Sequence, residues 1–124
     1  MRVFLYAFFL LVFLSCEKEK EPLILIGNIT QIDEYDPEII EFENTIGEIN
    51  SDRISSGYYM IYLPVIENVN HVWVSINNQS LGGSDQATIR TNGVGKILIE
   101  SYYNGEHFDG MLINNPFEIK IYTN

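Results

Sequence analysis

Residues 86–113 read QATIRT-NG-VG-KILIESYY-NG-EHFDGMLI, and this stretch decides the fold class. Two Asn-Gly pairs, Asn92-Gly93 and Asn104-Gly105, separate short runs that are rich in β-branched and aromatic residues. Asn-Gly is favoured at the centre of a type I′ hairpin because both central positions require a positive φ. We therefore expect the runs 86–91, 96–103 and 108–113 to form an antiparallel meander.

The rest of the domain continues this pattern of short strand-like runs, and no segment shows a convincing helical period. Pro64 lacks an N–H group and predicts an edge strand or a bulge within its run. Eight runs in about a hundred residues predict one all-β domain, an antiparallel β-sandwich over residues 23–124. The layout resembles the immunoglobulin-like sandwiches appended to bacterial surface proteins, although their Cys–Trp–Cys pattern is missing. The five further runs are 23–32, 38–43, 58–66, 71–77 and 117–123.

Alternation along three runs predicts which side chains face the core, because successive residues of a strand point to opposite faces. The opposite face then holds Trp73, Tyr102 and Tyr122, which we expect to form one contact surface for a glycan or a protein partner. The alternative for these aromatic residues is cross-strand pairing without a ligand. The predicted core positions are Val72, Val74, Ile76, Ile97, Ile99, Tyr103, Phe117, Ile119 and Ile121.

The N-terminus has the order of a secretory signal. Arg2 is followed by twelve apolar residues at positions 3–14 and then by the small residue Ser15. Twelve helical residues rise only about 18 Å, which is too short for a hydrocarbon core of about 30 Å. We therefore expect residues 1–15 to be a cleaved signal peptide.

The end of this signal resembles the lipobox of bacterial lipoproteins, in which a small residue precedes a lipid-modified cysteine. Ser15 and Cys16 occupy those two positions, and Cys16 is the only cysteine of the chain. The resemblance implies that Cys16 receives a diacylglycerol thioether and anchors the protein, with several acyl chains making the anchor stable. The alternative is an ordinary signal peptide followed by an incidental cysteine.

Residues 16–22 follow as a lipidated cysteine and a charged tether, C-E-K-E-K-E-P. Such charged segments after the cysteine also resemble the export tags of surface lipoproteins in Bacteroidota, although a plain hydrophilic spacer explains them equally well. We therefore expect a location in the cell envelope, at the outer membrane, with the side of the membrane left open.

Charge argues against a nucleic-acid-binding protein, and cysteine content excludes a domain held together by internal disulfides. The loss of Arg2 leaves 6 basic and 17 acidic residues, a net charge of 6 − 17 = −11. A surface this acidic repels phosphate backbones, so nucleic acid is not an expected partner. A single cysteine cannot form an internal disulfide, so the core and the strand ladders must hold the domain together.

No catalytic or cofactor motif stands out in the sequence. There is no G-x-S-x-G elbow, and only His71 and His107 could serve as imidazole bases. The acidic loop 33–38 and the hairpin 104–110 hold oxygen ligands and one histidine, but neither has the spacing of a known metal site, and solvated polar loops explain both. We therefore predict no catalytic residues, no resident metal and no cofactor.

These observations leave three hypotheses for the function. The first is a non-catalytic envelope lipoprotein that serves as a binding or interaction module. The second is a structural accessory subunit of an envelope assembly, which a large flat apolar patch would favour. The third is an enzyme, which would require a deep pocket holding a histidine and carboxylates.

Overall fold

A computed structural model describes residues 20–78, 85–93 and 95–124. These residues form nine strands and no helix, which confirms the predicted all-β antiparallel fold. Cys16, the predicted lipidation site, lies outside the described residues. The strands are β1 Leu23–Thr30, β2 Glu38–Asn44, β3 Asn50–Ser55, β4 Tyr58–Tyr62, β5 Val69–Ile76, β6 Gln86–Thr91, β7 Lys96–Tyr103, β8 Glu106–His107 and β9 Asn115–Thr123.

The strands are arranged in two antiparallel sheets. Sheet I has the order β2-β1-β9-β5, and sheet II has the order β3-β4-β7-β6 with β8 added to β7. Apolar side chains from both sheets form one core cluster, as in a β-sandwich. Its most deeply buried apolar members are Leu25, Ile29, Tyr59, Ile61, Ile97, Ile99, Leu112, Ile119 and Ile121.

The predicted alternation is correct along β9 and most of β7. Ile97, Ile99 and Ile119 are buried, and the three β5 positions Val72, Val74 and Ile76 pack against the same core. The assignment of Tyr103 to the core is wrong, since its side chain is exposed. Tyr103 is the last residue of β7 and pairs with Glu106 in the hairpin. Strand β4 pairs with β7 only as far as Glu100 and β6 only as far as Tyr102, so Tyr103 lies beyond the packed sheet.

The observed strands differ from the expected ones most clearly at three places. The polar strand β3 has no apolar alternation and was not predicted; it is an edge strand whose pairing with β4 supplies its stability. Residues 108–113 do not form a strand, because Gly110 and Asn114 have positive φ and turn the chain back towards β9. The strand containing Tyr58 ends before Pro64 and lies between β3 and β7, so it is neither an edge strand nor bulged at the proline.

The two ends of the sandwich are distinct. We call the end where β1 begins and β9 finishes the proximal pole; there Lys20 Nζ donates a hydrogen bond of 3.0 Å to the carbonyl oxygen of Asn124. The opposite end, the distal pole, contains residues 31–37, the turn at 56–57 and residues 108–114. A hydrogen bond of 2.9 Å from the Gln31 N–H to the Leu112 carbonyl joins two of these segments.

Candidate functional site

Two of the three predicted contact residues lie together on the outer face of sheet I. Trp73 on β5 pairs with Lys120 of β9, and Tyr122 of β9 pairs with His71 of β5. The side chains of Trp73 and Tyr122 are 41% and 37% exposed. The Lys120 ammonium lies 5.2 Å from the centre of the indole, a cation–π distance, and it also bridges to Glu118 at 3.3 Å.

Tyr102 does not belong to that surface. It lies on β7, a central strand of sheet II, whereas β5 and β9 lie in sheet I on the other side of the core. The expectation of one surface containing Trp73, Tyr102 and Tyr122 is therefore wrong. It required the three strands to be neighbours, and the strand order separates them.

On sheet II, Tyr102 belongs to a polar cluster around the buried Glu100. The Tyr102 hydroxyl and His107 Nε2 both bond to Glu100 Oε2, and Arg90 Nη2 lies 3.1 Å from Oε1. Burial alone would raise the pKa of Glu100, but the bonds from His107, Tyr102 and Arg90 outweigh it and lower that pKa. The His107 ring packs against Tyr58 and Tyr102, with centroids 3.9 and 4.5 Å away. The cluster thus fastens β8 to sheet II.

A second polar network lies at the distal pole, around Asp109. Arg53 donates to Asp109 Oδ2 from Nε at 2.9 Å and from Nη2 at 2.7 Å. The Gly57 N–H donates to Oδ1 at 3.0 Å, and the Tyr59 hydroxyl lies 2.8 Å from the same oxygen. Burial would raise the pKa of Asp109, but these donors outweigh it and hold the pKa below its usual range.

Gln31 links this network to the loop that follows β1. Its Nε2 donates to the carbonyl oxygens of Asp33 at 2.9 Å and Tyr35 at 3.0 Å, which holds the loop in place. Its Oε1 accepts from the Gly110 N–H at 2.6 Å. The Tyr59 hydroxyl also lies 2.8 Å from Oε1. It has only one proton, and it donates that proton to the Asp109 carboxylate because a carboxylate is a stronger acceptor than an amide oxygen. Burial raises the pKa of Tyr59, so the hydroxyl keeps that proton.

An open cleft of about 780 Å³ lies above this network, and we call it the distal cleft. Tyr35 and Phe108 are its aromatic members, 72% and 50% exposed, and the side chains of Asp33 and Glu34 are also exposed. The cleft therefore combines aromatic faces and carboxylates on a base fixed by hydrogen bonds, an arrangement suited to non-covalent recognition. Its described lining is Asp33, Glu34, Tyr35, Ser56, Phe108, Asp109 and Gly110.

The two segments considered as metal sites meet at this cleft, but the His107 and Asp109 side chains are already bonded to other groups of the protein. Among the described residues, no group of three or more His, Cys, Asp and Glu side chains could hold a metal ion. His107 bonds to Glu100, and Asp109 is occupied by Arg53. The cleft is open rather than deep, and none of the lining residues described is a histidine.

Sequence reasoning missed the distal cleft because its two walls are far apart in the chain; Gln31 and Gly110 are separated by 79 positions. One signal was available: Tyr35 and Phe108 are large aromatic residues inside or beside polar turn segments. Aromatic residues placed in loops on a rigid scaffold are typical of binding sites.

Over the ranges 20–78, 85–93 and 95–124, no helix is long and apolar enough to cross a membrane. Comparison of the chain with protein-family models, with curated proteins and with solved structures finds no match.

Proposed function

We propose that the protein is a lipid-anchored, non-enzymatic binding module of the cell envelope that contacts its partner through the distal cleft. The observation that supports this most is the pair of exposed aromatic residues, Tyr35 and Phe108, on loops held by the Gln31 and Asp109 networks. The cleft lies at the pole opposite the start of β1, so a tether ending at Cys16 directs it away from the membrane.

The physical advantage of this site is prior organisation. An aromatic side chain that becomes fully buried by a partner contributes roughly 1.5–3 kcal/mol. Tyr and Phe lose little rotamer entropy on binding, and loops already fixed by internal hydrogen bonds lose little backbone entropy. An envelope protein or a glycan chain is the partner class that such a surface suits.

Crosslinking in intact membranes, followed by identification of the captured partner, tests the cleft. The variants Tyr35→Ala and Phe108→Ala should each reduce capture strongly while leaving the unfolding midpoint nearly unchanged, since both side chains are exposed. Trp73→Ala is the matched control, an exposed aromatic residue on another face. Loss of capture by Trp73→Ala alone would contradict the cleft as the binding surface.

The anchor has its own test. Mass spectrometry of the N-terminal peptide should show acyl groups on Cys16, and Cys16→Ser should release the protein from membranes or stall its processing. A wild-type protein that is soluble with an unmodified Cys16 would refute the lipoprotein assignment.

A specific observation favours a second candidate, a structural accessory subunit of an envelope assembly. Ile40 and Phe42 on the edge strand β2 are exposed, and Phe42 lies at a bulge between the pairs Ile26–Glu43 and Gly27–Glu41. Together with Trp73 and Tyr122 they give sheet I exposed apolar area of the kind that packs in assemblies. Crosslinking to a partner that is lost in Phe42→Ala but kept in Tyr35→Ala would support this second function.

A further inference from the structure

The proximal pole has an exposed apolar loop after β4. Val65 is 98% exposed, and Val69, at the start of β5, is also exposed. Beside the loop lies a small apolar cavity of about 100 Å³. The described lining of this cavity includes Leu63, Pro64, Ile66, Ile97 and Ile121.

The loop lies at the same pole as Lys20, the first residue of the described N-terminal segment. The Asn68 carbonyl accepts a hydrogen bond of 3.0 Å from the Asn124 N–H, and the Lys20 ammonium donates to the carbonyl oxygen of Asn124. Cys16 is four residues before Lys20, and a fully extended chain spans at most about 3.6 Å per residue. The Cα of Lys20 therefore stays within about 14 Å of the Cα of Cys16.

We propose that the proximal pole rests on the lipid surface and that the loop with Val65 at its tip inserts among the headgroups. This inference rests on the proposed anchor at Cys16, because the short tether is what brings the pole to the membrane. A valine that is almost fully exposed gains by leaving water for the acyl boundary.

The experiment uses the mature, acylated protein in vesicles of phosphatidylethanolamine and phosphatidylglycerol. Acylation consumes the thiol of Cys16, the only native cysteine, so Val65→Cys provides a single reactive site for a fluorophore. Ile113→Cys is the matched control, an exposed apolar position at the distal pole. A quencher attached to lipid headgroups should reduce emission at position 65 at least about threefold more than at position 113.

A second variant tests the insertion directly. With the fluorophore on Val69→Cys, the added change Val65→Asp should reduce the quenching, because a carboxylate at the tip resists transfer from water, whereas Val65→Ala should leave most of it. Equal quenching at positions 65 and 113 in acylated, vesicle-bound protein would overturn the inference while leaving the anchor intact. Self-quenching at position 65 that grows with protein density would instead indicate a second copy of the chain and would also overturn it.

Absence of acyl mass on Cys16, or failure of every variant to sediment with vesicles, would refute the anchor itself. The two failures are therefore distinguishable by measurements on the same samples.

Discussion

Asp109 shows how one side chain organises the distal pole. Its two oxygens accept hydrogen bonds from a guanidinium, a backbone N–H and a phenol, and these groups come from β3, the turn before β4, and β4 itself. A carboxylate with this many donors is stabilised in its charged form. The chemistry that fixes the cleft therefore also makes it sensitive to acid.

We predict that Asp109→Asn lowers the free energy of unfolding by about 1–3 kcal/mol at pH 7, because charged hydrogen bonds are replaced by weaker ones. The folded pKa of Asp109 lies below the unfolded value of about 3.9, so its stabilisation is present above that value and is lost as the pH falls through the folded pKa. Urea unfolding at pH 7 and at successively lower pH should show the difference between wild type and variant shrinking. Asp33→Asn, the same change at an exposed position, is the control, and a pH-independent difference would contradict the assignment.

The core offers a prediction of a different kind. Ile99 is completely buried at the centre of β7, so Ile99→Ala removes buried methyl groups and leaves a cavity. We expect a cost of about 2–5 kcal/mol in urea unfolding. Ile54→Ala, at an exposed position of β3, should change stability by less than about 0.5 kcal/mol. If Ile99→Ala and Ile54→Ala lowered the free energy of unfolding equally, the inner and outer faces of sheet II would be assigned incorrectly.

At the scale of elements, the turn between β3 and β4 packs directly against the β7–β8 hairpin. The Gly57 carbonyl accepts from the Ser101 N–H at 2.9 Å, and a Cβ added at Gly57 would lie 2.5 Å from the backbone nitrogen of Phe108. Gly57 also has a φ of +72°, in the left-handed region. A glycine is therefore needed here for both conformation and space.

Gly57→Ala should lower the free energy of unfolding by about 1–3 kcal/mol more than Gly110→Ala does. Both positions have positive φ, so both variants incur a left-handed penalty of about 1–2 kcal/mol. At Gly110, however, an added Cβ meets no described atom within 4 Å, so the difference between the variants isolates the close contact. Thermal unfolding of the two variants measures it; equal midpoints would show that the turn and the hairpin are not in tight contact.

Strand β5 gives the second test at this scale. Because Trp73 lies on the outer face of sheet I, its fluorescence should be quenched by a soluble quencher, and Trp73→Ala should change stability by no more than about 1 kcal/mol. A shielded indole, or a variant that unfolds, would show that β5 presents its other face to the core.

At the scale of the whole molecule, the two sheets are held together by one apolar core and, at the distal pole, by the network of Gln31 and Asp109. The chain has a single cysteine, so no internal disulfide contributes. Every strand pairing among the described residues is antiparallel, and most contacts are long-range in sequence. Unfolding of such a domain should be cooperative.

We therefore expect the thermal midpoint to be the same with and without a reductant, with a β-type far-ultraviolet circular dichroism spectrum below it. A midpoint that falls on reduction would indicate a disulfide between two molecules through Cys16, which acylation would have prevented.

The period-two alternation and the Asn-Gly turns were sufficient to predict an all-β antiparallel domain, most strand positions and the burial of Ile99 and Ile119. These are local properties, because a strand alternates its faces whatever its neighbours are. The same reasoning also predicts that Trp73 and Tyr122 face outward. It failed at β3 and at residues 108–113, where polar edge pairing and positive φ at Gly110 override the local pattern.

Only the tertiary structure decided which strands are neighbours, and therefore which residues share a surface. Tyr102 and Trp73 have the same place in the alternation of their strands, yet the strand order puts them on opposite faces of the sandwich. Conversely, residues near Gln31 and Gly110 meet in the distal cleft across 79 positions. Strand order depends on long-range packing of two apolar faces, which no short window of sequence encodes; the alternation within each strand depends only on the backbone.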